Sequence, residues 1–143
     1  MKLEIPVLKN GRIPSKYTCD GEDINPPISI EDIPEEIESL VLILDDPDAP
    51  GKTFTHWILF NFMTDMIEED SVPSGAVKGE NDFGNNEYGG PCPPSGEHRY
   101  RFKLYALDSR LDLGEGARKE EVEDAMEGHI LGEDVIVGKY SKE

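Results

Sequence analysis

The chain has 143 residues, of which 31 are acidic and 14 basic, giving a formal net charge of -17. A chain of this length is expected to fold as a single domain over residues 1–143. Because so negative a field repels nucleic acid and anionic membrane surfaces, nucleic-acid binding is not expected.

No apolar run approaches the roughly 20 residues that a membrane span requires. Residues 1–7 lack the long apolar core of a signal peptide, so we expect a cytoplasmic protein with no integral membrane association. The two cysteines, Cys19 and Cys92, lie far apart in the sequence without metal-ligand spacing. Since disulfides are rare in the cytoplasm, both are expected to be free thiols.

The first 38 residues contain many turn residues and little periodicity. Residues 1–7 alternate weakly, which predicts an edge strand. Pro26 and Pro27 favour an extended entry into a short strand at residues 28–30. The acidic residues 31–38 are expected to form a solvated connection.

Residues 39–62 (SLVLILDDPDAPGKTFTHWILFNF) contain two apolar runs, at positions 40–44 and 57–62. Each run has the length of a buried strand and is too short for a typical helix. Asp45, Asp46 and Asp48 lie between the runs, where a turn would explain them. Three carboxylates at the mouth of an apolar strand nevertheless cost free energy unless solvent, hydrogen-bond donors or a cation meets them.

Two prolines interrupt this acidic segment. A tight proline turn is where cis peptide bonds occur, so we expect one at Asp46–Pro47 or at Ala49–Pro50. His56 stands at the entrance to the second strand. A strand period of two would place His56 on one face with Ile58, Phe60 and Phe62, at the rim of an apolar column.

Residues 64–81 show little periodicity and are long for a structureless loop, which predicts a functional loop or short strands. Residues 88–107 (YGGPCPPSGEHRYRFKLYAL) form a Gly/Pro loop that leads into an alternating strand. One face of that strand would carry His98, Tyr100, Phe102, Leu104 and Ala106. The opposite face would be the solvent face and would carry Arg99, Arg101, Lys103 and Tyr105.

Residues 117–131 have helical periodicity. The stripe comprises Val122, Ala125, Met126, His129 and Ile130. Gly132 would end this helix, and residues 135–140 would form a last strand, with His129 in or near the core. Many short strands with Gly/Pro turns and one helix predict an all-β, antiparallel fold.

The polar residues at the strand ends could converge on one pocket. The imidazoles of His56 and His98 and the phenol of Tyr100 can all donate hydrogen bonds, and a nearby Asp favours a protonated imidazole. Gly89 and Gly90 would let backbone N–H groups approach a ligand closely. This chemistry favours a small anion such as phosphate, phosphonate, carboxylate or sulfate.

Two other interpretations stay open at this point. His56 and His98 with Asp46 or Asp48 would suit a divalent transition metal, although the spacing is not diagnostic. Cys92 with His98 could form a nucleophile and base, or an Asp–His pair could activate water. No known nucleophile motif is present.

Several segments of the chain resemble the phosphatidylethanolamine-binding protein family, closest to its bacterial and archaeal branch described as Raf kinase inhibitor-like. The segments are DPDAP at 46–50, HW at 56–57, NDFG at 81–84, YGGPCPP at 88–94 and GEHRY at 96–100. Unlike animal members of the family, which have a tryptophan two residues before the pocket histidine, this chain has Phe54.

The resemblance implies an antiparallel β sandwich with one helix in the C-terminal region and a pocket for phosphate or a phospholipid head group. It implies no metal, no cofactor and no catalytic residue, so the chain is not expected to be an enzyme. The ligand-binding residues would be Asp46, Asp48, His56, Gly90, His98 and Tyr100. A second hypothesis is a regulator or inhibitor of a kinase or protease, and a homodimer is compatible with the sequence. The alternative function is a metal-dependent hydrolase that would use the cluster of two histidines and an aspartate.

Overall fold

The computed structural model describes residues 1–142, which form strands in two antiparallel sheets, one α-helix and a 3-10 helix at Ser15–Tyr17. The strands are β1 (Lys2–Glu4), β2 (Ile28–Glu31), β3 (Ser39–Asp46), β4 (Phe54–Phe62), β5 (Met66–Ile67), β6 (Val77–Lys78), β7 (Glu97–Leu107) and β8 (Ile130–Ser141). The α-helix, α1, spans Lys119–Met126. The predicted all-β, antiparallel fold is confirmed.

The larger sheet has five strands in the order β6-β4-β3-β7-β8, and the smaller has three in the order β1-β2-β5. All the strand pairs within them are antiparallel. The two sheets share one hydrophobic core, in which Leu3 and Ile30 of the small sheet join Leu42 and Phe102 of the large sheet. We call the side of the large sheet that faces this core the sandwich face, and the opposite side the helix face.

Strand β3 is the centre of the molecule because all eight of its residues are buried. Leu42 and Leu44 pack into the sandwich core, whereas Ile43 packs on the helix face with Val122 and Met126 of α1. Burial on both sides explains why β3 is a continuous apolar run without alternation.

Strand β4 does not keep a single two-residue period. Its partners on β3 advance by one residue where β4 advances by two, so that His56 and Asn61 are extra residues at bulges. Ile58 therefore lies on the helix face, while Phe62 lies in the sandwich core. The predicted column that joined His56 to Ile58 and Phe62 is wrong, because each bulge reverses the faces.

The two faces of β7 differ as the alternation predicts, and the His98-to-Ala106 face is buried. The opposite face is not simply a solvent face. Arg101 Nε lies 2.8 Å from Asp45 Oδ1, and Lys103 Nζ and Lys119 Nζ lie 2.8 and 3.0 Å from Asp45 Oδ2. Burial alone would raise the pKa of Asp45, but the hydrogen bonds from these cations outweigh it and lower that pKa. Asp45 thus connects β3, β7 and α1.

Helix α1 is shorter than predicted. It ends at Met126, and Gly128, with φ of 83°, reverses the chain before β8 begins at Ile130. The prediction that the helix continues to residue 131 is wrong, because exposed apolar residues of the edge strand β8 mimic a helical stripe. His129 is half exposed, and its Nδ1 donates to Asp108 Oδ1 at 2.8 Å.

Two further expectations are wrong. No peptide bond among residues 1–142 is cis, so those preceding Pro47 and Pro50 are trans. Cys19 and Cys92 are not free thiols, because they form a disulfide with Cα atoms 5.4 Å apart. The expectation of free thiols rested on the rarity of disulfides in the cytoplasm. The fold nevertheless brings these two cysteines, which are 73 positions apart in the sequence, into bonding distance. Within the described residues, no helix is long and apolar enough to cross a bilayer.

We expect Asp45→Asn to lower the free energy of unfolding by about 2–4 kcal/mol, because it leaves Lys103 and Lys119 without their shared counter-charge in a poorly hydrated site. Chemical denaturation would measure the loss. Glu87→Gln is the matched control, because it breaks an exposed ion pair with Lys78 and should cost about 0.5 kcal/mol or less. Similar small losses in both variants would contradict the role given to Asp45.

Candidate functional site

A cavity of about 220 Å³ opens at the end of the sandwich face, where β3 ends and β4 and β7 begin. Its polar wall consists of Asp46, His56, His98 and Tyr100. The remaining wall is mostly apolar and consists of Ala49, Pro50, Phe54, Phe83, Cys92, Pro93 and Pro94. The convergence of polar strand ends at one pocket therefore follows the prediction.

His98 is held by Asp46, the last residue of β3. The His98 Nδ1–H donates to Asp46 Oδ2 at 2.7 Å, and both side chains are at least nine-tenths buried. The other carboxylate oxygen of Asp46 accepts the backbone N–H of Asp48 at 2.8 Å, so the turn itself orients the carboxylate. Because the hydrogen bond to Asp46 uses Nδ1, the His98 ring has Nε2 to offer to a ligand.

His56 is oriented by the backbone of the neighbouring Gly89. Its Nδ1–H donates to Gly89 O at 2.7 Å, and its own backbone carbonyl accepts the Gly89 N–H at 3.1 Å. Burial lowers the pKa of His56, although the hydrogen bond to Gly89 and the charge of Asp46 oppose the shift. The neutral ring therefore also has Nε2 available for a ligand. While the ring is neutral and Nδ1 carries the proton, Nε2 is a hydrogen-bond acceptor.

Tyr100 lies between the two histidines. Its ring centroid is 5.4 Å from that of His56 and 6.4 Å from that of His98. The hydroxyl is buried and has no hydrogen-bond partner of good geometry among residues 1–142. Burial raises the pKa of Tyr100, the charges of Asp46 and Asp48 raise it further, and the Cys92 backbone opposes these shifts. The phenol thus stays protonated and can donate.

Two predicted site residues lie outside the cavity wall. Asp48 forms a two-pronged pair with the Arg99 side chain at 3.0 and 2.8 Å and accepts the Arg99 N–H, and these bonds lower the pKa of Asp48. The Gly90 N–H donates to Asp23 Oδ1 at 2.8 Å. A Cβ at Gly90 would lie 2.4 Å from Tyr17 O, so only glycine fits there. Both residues support the pocket walls.

The aromatic collar at the mouth of the cavity was not predicted from the sequence. Phe54 and Phe83 pack edge to face with centroids 4.8 Å apart, and Phe83 is also 5.4 Å from His56. Asn81, fully buried, fixes the Phe83 loop by accepting the Phe83 N–H and donating to Glu87 O. The NDFG segment signals a turn, but local sequence does not show that this turn folds over the cavity.

The loop that contacts His56 and contributes Cys92, Pro93 and Pro94 to the cavity wall is called the wall loop, which we define as residues 88–94. Tyr88 Oη donates to Tyr17 O at 2.7 Å, and the Cys19 N–H donates to Pro91 O at 3.1 Å. The Cys19–Cys92 disulfide adds a covalent connection to the same neighbour. Hydrogen bonds and a disulfide together thus position the loop whose carbonyl orients His56.

The metal interpretation finds no support in the arrangement of ligands. Among the described residues, no group of three or more His, Cys, Asp and Glu side chains has a geometry that could hold a metal ion. The interpretation of Cys92 as a free nucleophile is wrong, because its sulfur is in the disulfide.

Comparisons with known proteins agree on one family. The family model of the phosphatidylethanolamine-binding proteins matches residues 5–141. A UPF0098 protein of Methanothermobacter thermautotrophicus is 56% identical over 139 residues, which cover 92% of each chain.

Solved structures give the same result. A putative phosphatidylethanolamine-binding protein homologue from Chlamydia trachomatis superposes with a TM-score of 0.93 at 41% identity, over 99% of this chain and 97% of that one. YbcL of E. coli, described as a new member of the mammalian family, gives a TM-score of 0.91 at 25% identity, over 99% and 98% of the chains.

The lowered pKa of His56 predicts a pH effect on stability. Below its ordinary pKa of about 6.5 the unfolded chain binds a proton at His56 that the folded chain does not. Stability should therefore fall as the pH drops below that value, by up to about 1.4 kcal/mol per pH unit. Denaturation curves between about pH 7.5 and about pH 5.5 would measure this slope.

His56→Gln is the comparison variant, because an amide can keep the donor to Gly89 without titrating. Its stability should depend less on pH over the same interval. An unchanged slope would show that His56 is not the group responsible.

Proposed function

The chain belongs to the phosphatidylethanolamine-binding protein family, and from that premise we propose that its pocket binds a small anion, such as a phosphate or a phospholipid head group. The observation that carries this proposal is the buried Tyr100 hydroxyl, which lacks a hydrogen-bond partner of good geometry among residues 1–142 and lies next to two imidazoles that are both fixed through Nδ1. A ligand oxygen would supply the missing acceptor.

The Asp46–His98 pair supports an anion in spite of the acidic chain. When His98 donates from Nε2 to an anion while Nδ1 donates to Asp46, the ring carries a positive charge that the carboxylate compensates. The pair is nearly excluded from water, and such hydrogen bonds are stronger in this environment of low dielectric constant than in water. The many exposed carboxylates act over longer distances and are screened beyond roughly 8 Å at physiological ionic strength.

His56 couples anion binding to proton uptake. Its lowered pKa favours the neutral ring in the empty pocket, and a bound anion would favour the ring that donates from both nitrogens. A proton should therefore enter the site with the ligand, and the affinity should rise as the pH falls.

The apolar collar and the cavity size support a small ligand group. At about 220 Å³ the cavity is smaller than most sites for drug-sized ligands, which start at about 300 Å³. Phe83 is 48% exposed at the mouth, where it could contact an apolar substituent of the ligand. A head group fits this volume better than a whole lipid would.

We further propose that the pocket binds its ligand without converting it. Cys92 is occupied in a disulfide, and the raised pKa of Tyr100 makes the phenol a poor nucleophile at neutral pH. A kinase or protease partner, a homodimer and a cytoplasmic location stay predictions drawn from the sequence.

We expect His98→Ala to weaken sulfate or phosphate binding by roughly 10- to 100-fold, because it removes a charge-assisted hydrogen bond from a buried site. Titration calorimetry would measure the affinity, and a thermal melt would confirm that the variant is folded. His129→Ala is the control, since this histidine pairs with Asp108 away from the cavity and its loss should leave affinity unchanged. Equal affinity in folded His98→Ala and wild-type protein would refute the proposal.

Sulfate binding should strengthen between about pH 8 and about pH 5.5, by up to roughly tenfold per pH unit for each proton taken up. Sulfate is suitable because its own charge is constant in this range, so the dependence reports protein groups. Calorimetry in two buffers with different ionisation enthalpies would count the protons directly. Binding without proton uptake would contradict the role given to His56.

A further inference from the structure

The disulfide that closes the pocket wall is accessible to solvent. Cys19 and Cys92 are both exposed, and Cys92 also lines the cavity. Reagents in solution can therefore reach a bond that borders the ligand site. Such an exposed disulfide is more open to thiol exchange than a buried structural one.

The two halves of the wall loop are held by different means. Hydrogen bonds anchor residues 88–91 to residues 17–23, through Tyr88, Gly90 and the Pro91 carbonyl. Within residues 1–142, no hydrogen bond joins residues 92–94 to residues 17–23, and the disulfide makes that connection. Opening the disulfide would therefore release the second half of the loop and leave the first half in place.

A lysine lies beside one of the two sulfurs. Lys142 Nζ is 3.9 Å from Cys92 Sγ, and an ammonium group at this distance stabilises a thiolate. When the disulfide opens, Cys92 is thus the better leaving group, and Cys19 is the sulfur that an incoming thiolate attacks.

We propose that the Cys19–Cys92 bond is a thiol-exchange site for a dithiol reductant, and that its reduction weakens anion binding in the adjacent pocket. The first statement stands on the disulfide alone, and the second also rests on the proposed anion-binding function.

The exchange balances as a two-electron transfer. A thiolate of the reductant attacks Cys19 Sγ, the bond between the protein sulfurs breaks, and Cys92 leaves as a thiolate next to Lys142. The second thiol of the reductant then displaces Cys19, and the reductant leaves as its cyclic disulfide. The two protons of the dithiol end on the two protein sulfurs, which become thiols.

Reduction should weaken the site without destroying it. Gly89 still accepts from His56, and Asp46 still accepts from His98, because neither bond involves the released residues. Pro93 and Pro94 would lose their fixed position at the cavity wall, so the site would be less preorganised. We expect a loss of about fivefold in affinity.

The experiment compares sulfate binding by calorimetry in the oxidised protein, after reduction with dithiothreitol, and after reoxidation. A thiol count would follow the redox state. We expect weaker binding after reduction and full recovery after reoxidation, with Cys19→Ser/Cys92→Ser protein binding like the reduced form in both conditions. Equal affinities of the fully oxidised and fully reduced proteins would overturn control of the pocket.

Two controls separate this effect from general destabilisation. Met126→Ala opens a cavity in the helix-face core and should lower stability while leaving both sulfate affinity and its redox response unchanged. Lys142→Gln should slow reduction by dithiothreitol, by roughly threefold, because the Cys92 thiolate loses its neighbouring charge. An unchanged rate would remove Lys142 from the proposed exchange.

Backbone mobility provides a measurement that needs no ligand. Reduction should lower the NMR order parameters of the Cys92, Ser95 and Gly96 amides and leave those of residues 41–44 of β3 unchanged. Unchanged order parameters at all three residues would overturn the release of the loop. If the oxidised protein bound no sulfate, the proposed function and the redox control of binding would both fail, while the order parameters would still decide the release.

Discussion

The structure depends on two adjacent carboxylates that are buried on opposite sides of one sheet. Asp45 and Asp46 end the most deeply buried strand, and strand alternation sends the first to the helix face and the second to the sandwich face. Each requires a partner because an isolated buried charge is costly. Cations of β7 and α1 meet Asp45, whereas His98 meets Asp46. The Asp45 carboxylate holds helix α1 against the large sheet, and the Asp46 carboxylate orients His98 in the pocket.

The regular parts of this arrangement could be predicted from sequence. The apolar run of β3 and the alternation of β7 show directly in the residues, and they placed His98 and Tyr100 at one strand end. The face of His56 could not be predicted, because a bulge depends on pairing with β3. The end of α1 was missed because residues 130–131 continue a helical pattern while pairing with β7.

Most residues of the candidate site could be predicted from the sequence, whereas their positions relative to the cavity could be predicted less well. Four of the six predicted residues line the cavity, whereas Asp48 and Gly90 hold its walls from behind. The disulfide was not predicted because the expectation of free thiols rested on the cell compartment, and no local pattern indicates that residues 73 positions apart will meet. Phe83 was missed because its loop reaches the cavity only through tertiary contacts.

The bulge at His56 also limits how β4 can vary in length. Deleting one residue there would restore an uninterrupted ladder with β3, and the more regular sheet would lack the imidazole that now contacts Tyr100. Adding one residue would move the aromatic ring of Phe54 relative to Phe83. A fully regular β3–β4 pairing is therefore incompatible with the position of His56 in the pocket. His56 has no partner residue on β3, and this interruption of the pairing places its imidazole beside Tyr100.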